Sequence, residues 1–502
     1  MTTTVLLAIS LSMLLYLAIG YWYSKAVHGV GDVLPMFFGK AAKVKDHREF
    51  GASTVATTIS LATVIIAFFE LVPGLGLWLL WPAITTAMGL LLFGLLVKRI
   101  WDKMSTYDHR PTLHEYIGTE FNSKPAALIA SVFTTVGYLT AFAVELTVGS
   151  KFLSAMLPAI PQWITVVVIC AVSFIYTGLG GFRTVVVTDR IQMWFIWLLL
   201  FALLGYYAVF ATQHGWSESI NKIPEQLRGL HWNSGLISFV WGILIMNLFL
   251  FISNMGLWQR IAGAQDPSVV VRGMRSSVFQ AGLSWSLFAI AGVATFMLVS
   301  PVEGENLIVT VLKSMQGSPL GLFVIFCVVL GLYGAMLSTA STQLIATSHT
   351  IYEDIIAPFR KKGLLERSGL KIEVFWSRVI LVASAIGAVG VVELLRVAGF
   401  SVADLAFAIY GAALGLVPPI LMTLFMDRSV TRRLSVPAIL AVAGGFISCW
   451  AAAGYGKSIG DGNLVFLSPV ISTVVATVIM LVGWLFVTKL APSGNGVQED
   501  RP

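Results

Sequence analysis

The sequence predicts an all-α polytopic membrane protein of about 13 transmembrane helices, and three observations carry that reading. Of the 502 residues, 57% are hydrophobic and 11% charged, against about 25% charged in an ordinary soluble domain. Apolar runs of about 20 residues, the length a helix needs to cross roughly 30 Å of hydrocarbon, recur along nearly the whole chain. The 32 Lys and Arg are sharply partitioned: 26 fall in alternate segments between runs and 6 in the others, the asymmetry expected of cytoplasmic and external loops.

The runs lie at about 3–23, 51–72, 76–97, 126–148, 161–180, 187–211, 236–256, 276–299, 318–348, 374–395, 402–425, 435–455 and 467–488. The first has no Lys or Arg before it and no small-residue cleavage site after it, so it reads as a retained helix. With the N-terminus outside, the cytoplasmic segments 24–50, 98–125, 181–190, 257–275, 349–378, 426–434 and 489–502 hold the 26 basic residues. The external segments hold Lys151, Lys222, Arg228, Lys313, Arg396 and Lys457. A missed span would reverse every later loop, and none is reversed; the chain therefore reads as N-out and C-in. It forms a single transmembrane domain over 1–490 with a short polar cytoplasmic tail at 491–502, too short for a folded module.

Several classes are disfavoured. No GxxxxGK[ST] sequence and no loop beyond about 30 residues argue against a nucleotide-driven pump. The net charge of +7 is scattered over short loops, which leaves no basic face for nucleic acid. Cys170, Cys327 and Cys449 are far apart, inside apolar runs and without CxxC spacing, and read as packing residues. No HExxH or GxSxG motif is present, and His109 and His114 in a polar loop read as solvated, so an enzyme is not expected.

Irregular backbone at membrane depth is tolerated where it lines a cavity, so polar and Gly/Pro clusters inside runs point to a transport path. The second run reads Thr57-Thr58-Ile59-Ser60-Leu61-Ala62-Thr63-Val64 through to Glu70, then turns at Pro73-Gly74-Leu75-Gly76. Oxygens near Ser60 to Val64 are candidate ion ligands, and Thr63 and Glu70 candidate substrate contacts; the alternative is hydroxyls bonding back to their own helix, with Glu70 at the interface. The seventh run carries Asn247, Ser253, Asn254 and Gly256, a mixture that permits unwinding and offers amides to a ligand; interhelical hydrogen bonding is the alternative. In the ninth, Gly331 to Gln343 concentrates small and hydroxyl residues, and the Ser338 and Thr339 oxygens are candidates to replace sodium's water, against simple helix packing. Glu145, placed about a turn from the outer surface, is a candidate contact for a cationic substrate or a proton, or an interfacial residue.

Three segments carry a resemblance: Tyr176-Thr177-Gly178-Leu179-Gly180-Gly181-Phe182 continuing to Thr188-Asp189-Arg190-Ile191-Gln192; Trp258-Gln259-Arg260-Ile261-Ala262-Gly263-Ala264; and Leu337-Ser338-Thr339-Ala340 leading to Glu353-Asp354. With them the chain resembles the sodium:solute symporter family over nearly its whole length. The resemblance implies a LeuT-type fold of two inverted five-helix repeats, here at about 51–211 and 236–425, with the second and seventh spans broken. It implies a sodium site of the Leu61, Val64 and Ala335 carbonyls with the Ser338 and Thr339 hydroxyls, and places Asp189 near the route by which sodium leaves, a loop salt bridge with Arg183 or Arg190 being the alternative. Thr63 stands where the family's proline carriers have a carboxylate. The function implied is sodium-coupled symport of a small polar organic solute across a cytoplasmic (inner) membrane, with the sodium ion as the sole inorganic partner. Two membrane glutamates without a cluster of buried Arg or Lys favour an amino acid or related nitrogen compound. A solute sensor acting with a separate kinase, and a proton-coupled carrier, are the rival readings.

Overall fold

The computed structural model describes residues 1–27, 43–302, 305–356 and 400–489, with short pieces between 379 and 391. In chain order the helices are α1 (Thr2–Val27), α2 (His47–Ala56), a π-helical turn (Leu61–Ile66), α3 (Ala67–Leu75), α4 (Leu80–Met104), α5 (Leu113–Glu120), α6 (Lys124–Met156) and α7 (Gln162–His214). There follow α8 (Trp216–Asn221), α9 (Glu225–Arg228), α10 (Leu236–Ser253), α11 (Met255–Gly263), α12 (Pro267–Ala294), α13 (Leu307–Ser314) and α14 (Pro319–Thr350). The last are α15 (Val402–Ala413), α16 (Val417–Phe425), α17 (Arg428–Thr431), α18 (Ser435–Ser458) and α19 (Gly462–Lys489).

Among the described residues, ten helical stretches are long and apolar enough to cross a membrane, where the sequence predicts thirteen. Two of them are double: Leu61–Met104 has 44 residues and Gln162–His214 has 53, each at 1.5 Å per residue about twice the hydrocarbon thickness or more. Each carries a break in left-handed backbone that glycine adopts without steric cost, at Gly76 (φ 51°) in the first and Gly181 (φ 62°) in the second. Both breaks fall where the sequence separates neighbouring runs. The predicted span at 374–395 lies largely outside the described residues, as does the tail at 491–502.

The burial gradient shows which helices form the centre. Some 78% of the most apolar window of Pro319–Ile356 and of Val402–Phe425 is buried, against 17% for Gly462–Thr488. Helix α14 packs against α7, α6 and α1, while α19 packs on α18 and α10 and leaves Val474, Val478, Leu481 and Leu485 exposed as one stripe. An exposed apolar stripe at helical spacing is what lipid covers, and water does not tolerate.

Two helices are interrupted in the middle. Helix α2 ends at Ala56, and Thr57 to Ser60 are not helical before the π turn begins; α10 ends at Ser253, Asn254 is extended (ψ 103°), and α11 resumes at Met255. The restart has the same chemistry in each: Ser60 Oγ accepts from the Thr63 N–H at 2.9 Å, and Asn254 Oδ1 from the Leu257 N–H at 3.0 Å. A side-chain oxygen at the N-cap satisfies an amide that the unwinding frees. Thr54, Thr57 and Thr58 hydroxyls do bond back to the carbonyls of Phe50, Thr54 and Val55, so that alternative holds for these three and not for Ser60.

Asn247 acts between helices. Its Nδ2 donates to Thr85 Oγ1 at 3.0 Å and to the Pro82 carbonyl at 3.3 Å, and α10 lies so close to α4 that a Cβ on Gly89 would stand 1.9 Å from the Asn247 carbonyl. Asn247→Ala is expected to lower stability by about 0.6–1.7 kcal/mol, the range of interhelical hydrogen bonds in membranes, read as a fall in the melting midpoint in detergent.

Candidate functional site

Helix α14 crosses the protein beside the unwound part of the second span, and the turn Leu61–Ile66 packs against it. Leu61, Val64, Ala335, Ser338 and Thr339 are all buried. The two hydroxyls of α14 are in different states. Ser338 Oγ donates to Asp189 Oδ1 at 2.7 Å, so its proton is committed and its lone pairs remain available. Thr339 Oγ1 is buried without a hydrogen-bond partner in the protein. A buried hydroxyl without a partner is costly, and a hard cation that takes oxygen ligands is a fitting complement to it.

Asp189 is not a loop residue beside Arg183 or Arg190. It is fully buried, and Arg260 Nη2 donates to its Oδ2 at 3.0 Å, while Arg190 lies 3.7 Å from Asp46 and Arg183 2.8 Å from Glu49. Ser53 Oγ donates to the same carboxylate at 2.6 Å. Arg260 also donates from Nε to Ser53 Oγ at 2.9 Å, from Nη1 to the Gly256 carbonyl at 3.0 Å and from Nη2 to Thr342 Oγ1 at 3.1 Å. One buried ion pair thus ties α2, α7, α11 and α14 together, next to Ser338. Arg260 counts among the cytoplasmic loop cations in the sequence, and the structure corrects that: it is a buried structural cation in α11.

Glu145 is also displaced from its expected place near the surface. It is fully buried, its Oε1 accepts from Ser60 Oγ, and its Oε2 accepts from the Ala62 N–H at 3.5 Å. It therefore occupies the N-terminal end of the restarted helix. Glu70 lies elsewhere, in a cavity of 580 Å³ shared with Lys151 and Glu305.

Two smaller cavities, of about 60 and 90 Å³, lie at the helix breaks and share Thr57, Leu250, Asn254 and Tyr410. The first also touches Tyr138, Thr339, Thr342 and Gln343, and the second Ser60, Thr63 and Asn247. Asn254 Oδ1 accepts from Tyr138 Oη at 2.9 Å, and Thr63 Oγ1 lies 3.4 Å from Tyr410 Oη. Thr63, Asn247 and Asn254 thus come together, whereas Glu70 and Glu145 line neither cavity. Ser53, Tyr138, Arg260, Gln343 and Tyr410 are additions; of these Gln343 ends the polar stretch of the ninth run, and Arg260 is a cation inside a quoted motif whose counter-charge, Asp189, stands in another.

His114 requires a further correction. It is fully buried; Nδ1 lies 2.9 Å from Asp354 Oδ2 and Nε2 2.8 Å from Thr134 Oγ1, and Thr112 Oγ1 donates to Asp354 Oδ1 at 2.6 Å. His109 is exposed, as expected, beside Glu115. His114→Ala is expected to destabilise by about 1–3 kcal/mol, because one Asp354 oxygen loses its buried partner; the melting midpoint measures it.

A membrane bundle with two interrupted helices and buried hydroxyl and amide groups at the breaks has the architecture of a LeuT-type transporter. The pattern of the sodium:solute symporter family matches residues 47–433, and the chain belongs to that family. It is 23% identical to the sodium/glucose cotransporter of Vibrio parahaemolyticus over 299 residues, 57% of this chain and 53% of that one. It is 26% identical to the sodium/proline symporter of Salmonella typhimurium over 285 residues, 52% of each. The matches therefore span about half the length of these curated relatives. In structure it is similar to a Na⁺-coupled sialic acid symporter in a substrate-bound outward-open state, with a TM-score of 0.74 at 17% identity, over 97% of this chain and 98% of that one. It is similar more distantly to Mhp1, a nucleobase-cation-symport-1 family transporter, at a TM-score of 0.51 and 13% identity over 89% and 94%.

Proposed function

We propose that this protein imports a small polar organic solute across the cytoplasmic membrane together with sodium, by alternating access. The observation that carries the reading is the unpartnered Thr339 hydroxyl beside Ser338, on a helix packed against the turn Leu61–Ile66 and lining one cavity with Thr57. Sodium is held there by the Leu61, Val64 and Ala335 carbonyls and the two hydroxyls, and draws the second span onto α14. The solute sits in the cavities at the two breaks, and the Asp189–Arg260 pair closes the inner side; its opening gives sodium its exit past Asp189.

The matching N-caps at Ser60 and Asn254 support two inverted repeats, at about 51–211 and 236–425. The loop charges support thirteen spans with the N-terminus outside. The preference for an amino-type solute rested on Glu70 and Glu145, and neither lines the cavities at the breaks. The test is uptake into liposomes by the purified protein: solute accumulation driven by an inward sodium gradient is expected, abolished when the gradient is collapsed. Accumulation driven equally by a proton gradient without sodium would overturn the ion assignment.

A further inference from the structure

We infer that the solute of this carrier is net uncharged and bears no carboxylate, a polyol, sugar or amide class of molecule; the inference rests on the sodium-symport reading above. Two independent observations lead to it.

The first is where the positive end of the restarted helix points. In transporters of this architecture, a broken helix presents its free N–H groups to an anionic group of the substrate. Here that position is filled by the protein: Glu145 of α6 accepts from Ser60 Oγ and from the Ala62 amide. The Ser60 hydroxyl itself accepts from the Thr63 N–H, so the Ser60, Ala62 and Thr63 donors of the first turn are all taken by the protein. A carboxylate-bearing solute would have to displace a buried side chain from its partners. Helix α6 thus supplies a carboxylate to the restarted turn of the second span.

The second observation is the lining of the two cavities at the breaks. Among the described residues, neither is lined by a Lys, Arg, Asp, Glu or His; their polar groups are the hydroxyls and amides of residues such as Thr57, Thr63, Tyr138, Asn254, Gln343 and Tyr410. Such groups donate and accept in equal measure, which matches hydroxyls and amides of a solute. The one full charge beside the site is already cancelled, since Asp189 is balanced by Arg260 at 3.0 Å. A further net charge would enter a buried space without a counter-charge, at a cost of several kcal/mol.

The test is sodium-driven uptake into liposomes of labelled myo-inositol, glucose, urea, proline, succinate and choline, with wild type, Glu145→Gln and Glu145→Ala. Wild type is expected to accumulate one or more of the three neutral probes at least tenfold above the other three. Glu145→Gln keeps an oxygen acceptor against the Ala62 amide and is expected to keep that ranking. Glu145→Ala frees the Ala62 amide and the Ser60 hydroxyl, and millimolar acetate is then expected to inhibit uptake of the neutral probe, as it does not in wild type. Sodium-driven uptake of proline, succinate or choline by wild type at the rate of the neutral probes overturns this inference and leaves the symport reading standing. Sodium-driven uptake of none of the six overturns both.

Discussion

Replacing Arg260 by alanine is expected to cost about 3–5 kcal/mol of stability, the loss seen when one partner of a buried ion pair is removed. Four hydrogen bonds disappear together, to Asp189, Ser53, Thr342 and the Gly256 carbonyl, and Asp189 is left with only two hydroxyl donors, from Ser53 and Ser338. The effect exceeds that of an ordinary surface pair, worth about 0–1 kcal/mol, because neither partner reaches water. Adding Asp189→Asn to the Arg260→Ala chain is expected to recover part of the loss by removing the uncompensated charge. Thermal unfolding of the purified protein, followed by intrinsic fluorescence, measures both. An unchanged midpoint for Arg260→Ala would show that the pair does not hold the four helices together.

The second large effect is on sodium. Ser338→Ala and Thr339→Ala are each expected to raise the half-saturating sodium concentration by about 10- to 100-fold, taking about 1.5–3 kcal/mol for one oxygen contact to a charged partner. Ser338→Ala carries a further effect, since it also removes a donor from Asp189. Ser348→Ala is the matched comparison: its hydroxyl bonds back to the Ile345 carbonyl on the same helix, and its sodium dependence is expected to match wild type. Equal sodium dependence in all four proteins would remove Ser338 and Thr339 from the site.

Class and broken helices were legible in the sequence because both are written in local composition. A run of apolar residues declares a span, and Thr57 to Val64 or Asn254 with Gly256 declares a place where a helix does not continue. The Asp189–Arg260 pair is half legible: both residues stand in quoted motifs, but their separation of 71 positions gives no indication that they meet; the charge count puts Arg260 in a loop, and the resemblance puts Asp189 on the sodium exit route with no partner named in the other motif. Glu145 shows the same difficulty from the other side. Its partner Ser60 is 85 positions away, and only the rotation of α6 about its axis decides whether a carboxylate faces lipid, solute or a helix end. His114 read as solvated because its neighbours in sequence are polar, while its partner Asp354 is brought over it by the end of the ninth span. Local pattern sets the elements; which polar groups face each other is set by packing that no single segment contains.

The account centres on coupled movement of sodium and solute through one site, and simultaneous influx measures that most directly. In liposomes loaded with the purified protein, ²²Na⁺ entry and entry of the accumulated solute are followed together over a range of solute concentrations. A fixed ratio of sodium to solute, with each raising the apparent affinity for the other by the same factor, is the result expected. Solute entry that leaves ²²Na⁺ influx unchanged, or sodium entry that proceeds at full rate without solute, would contradict it.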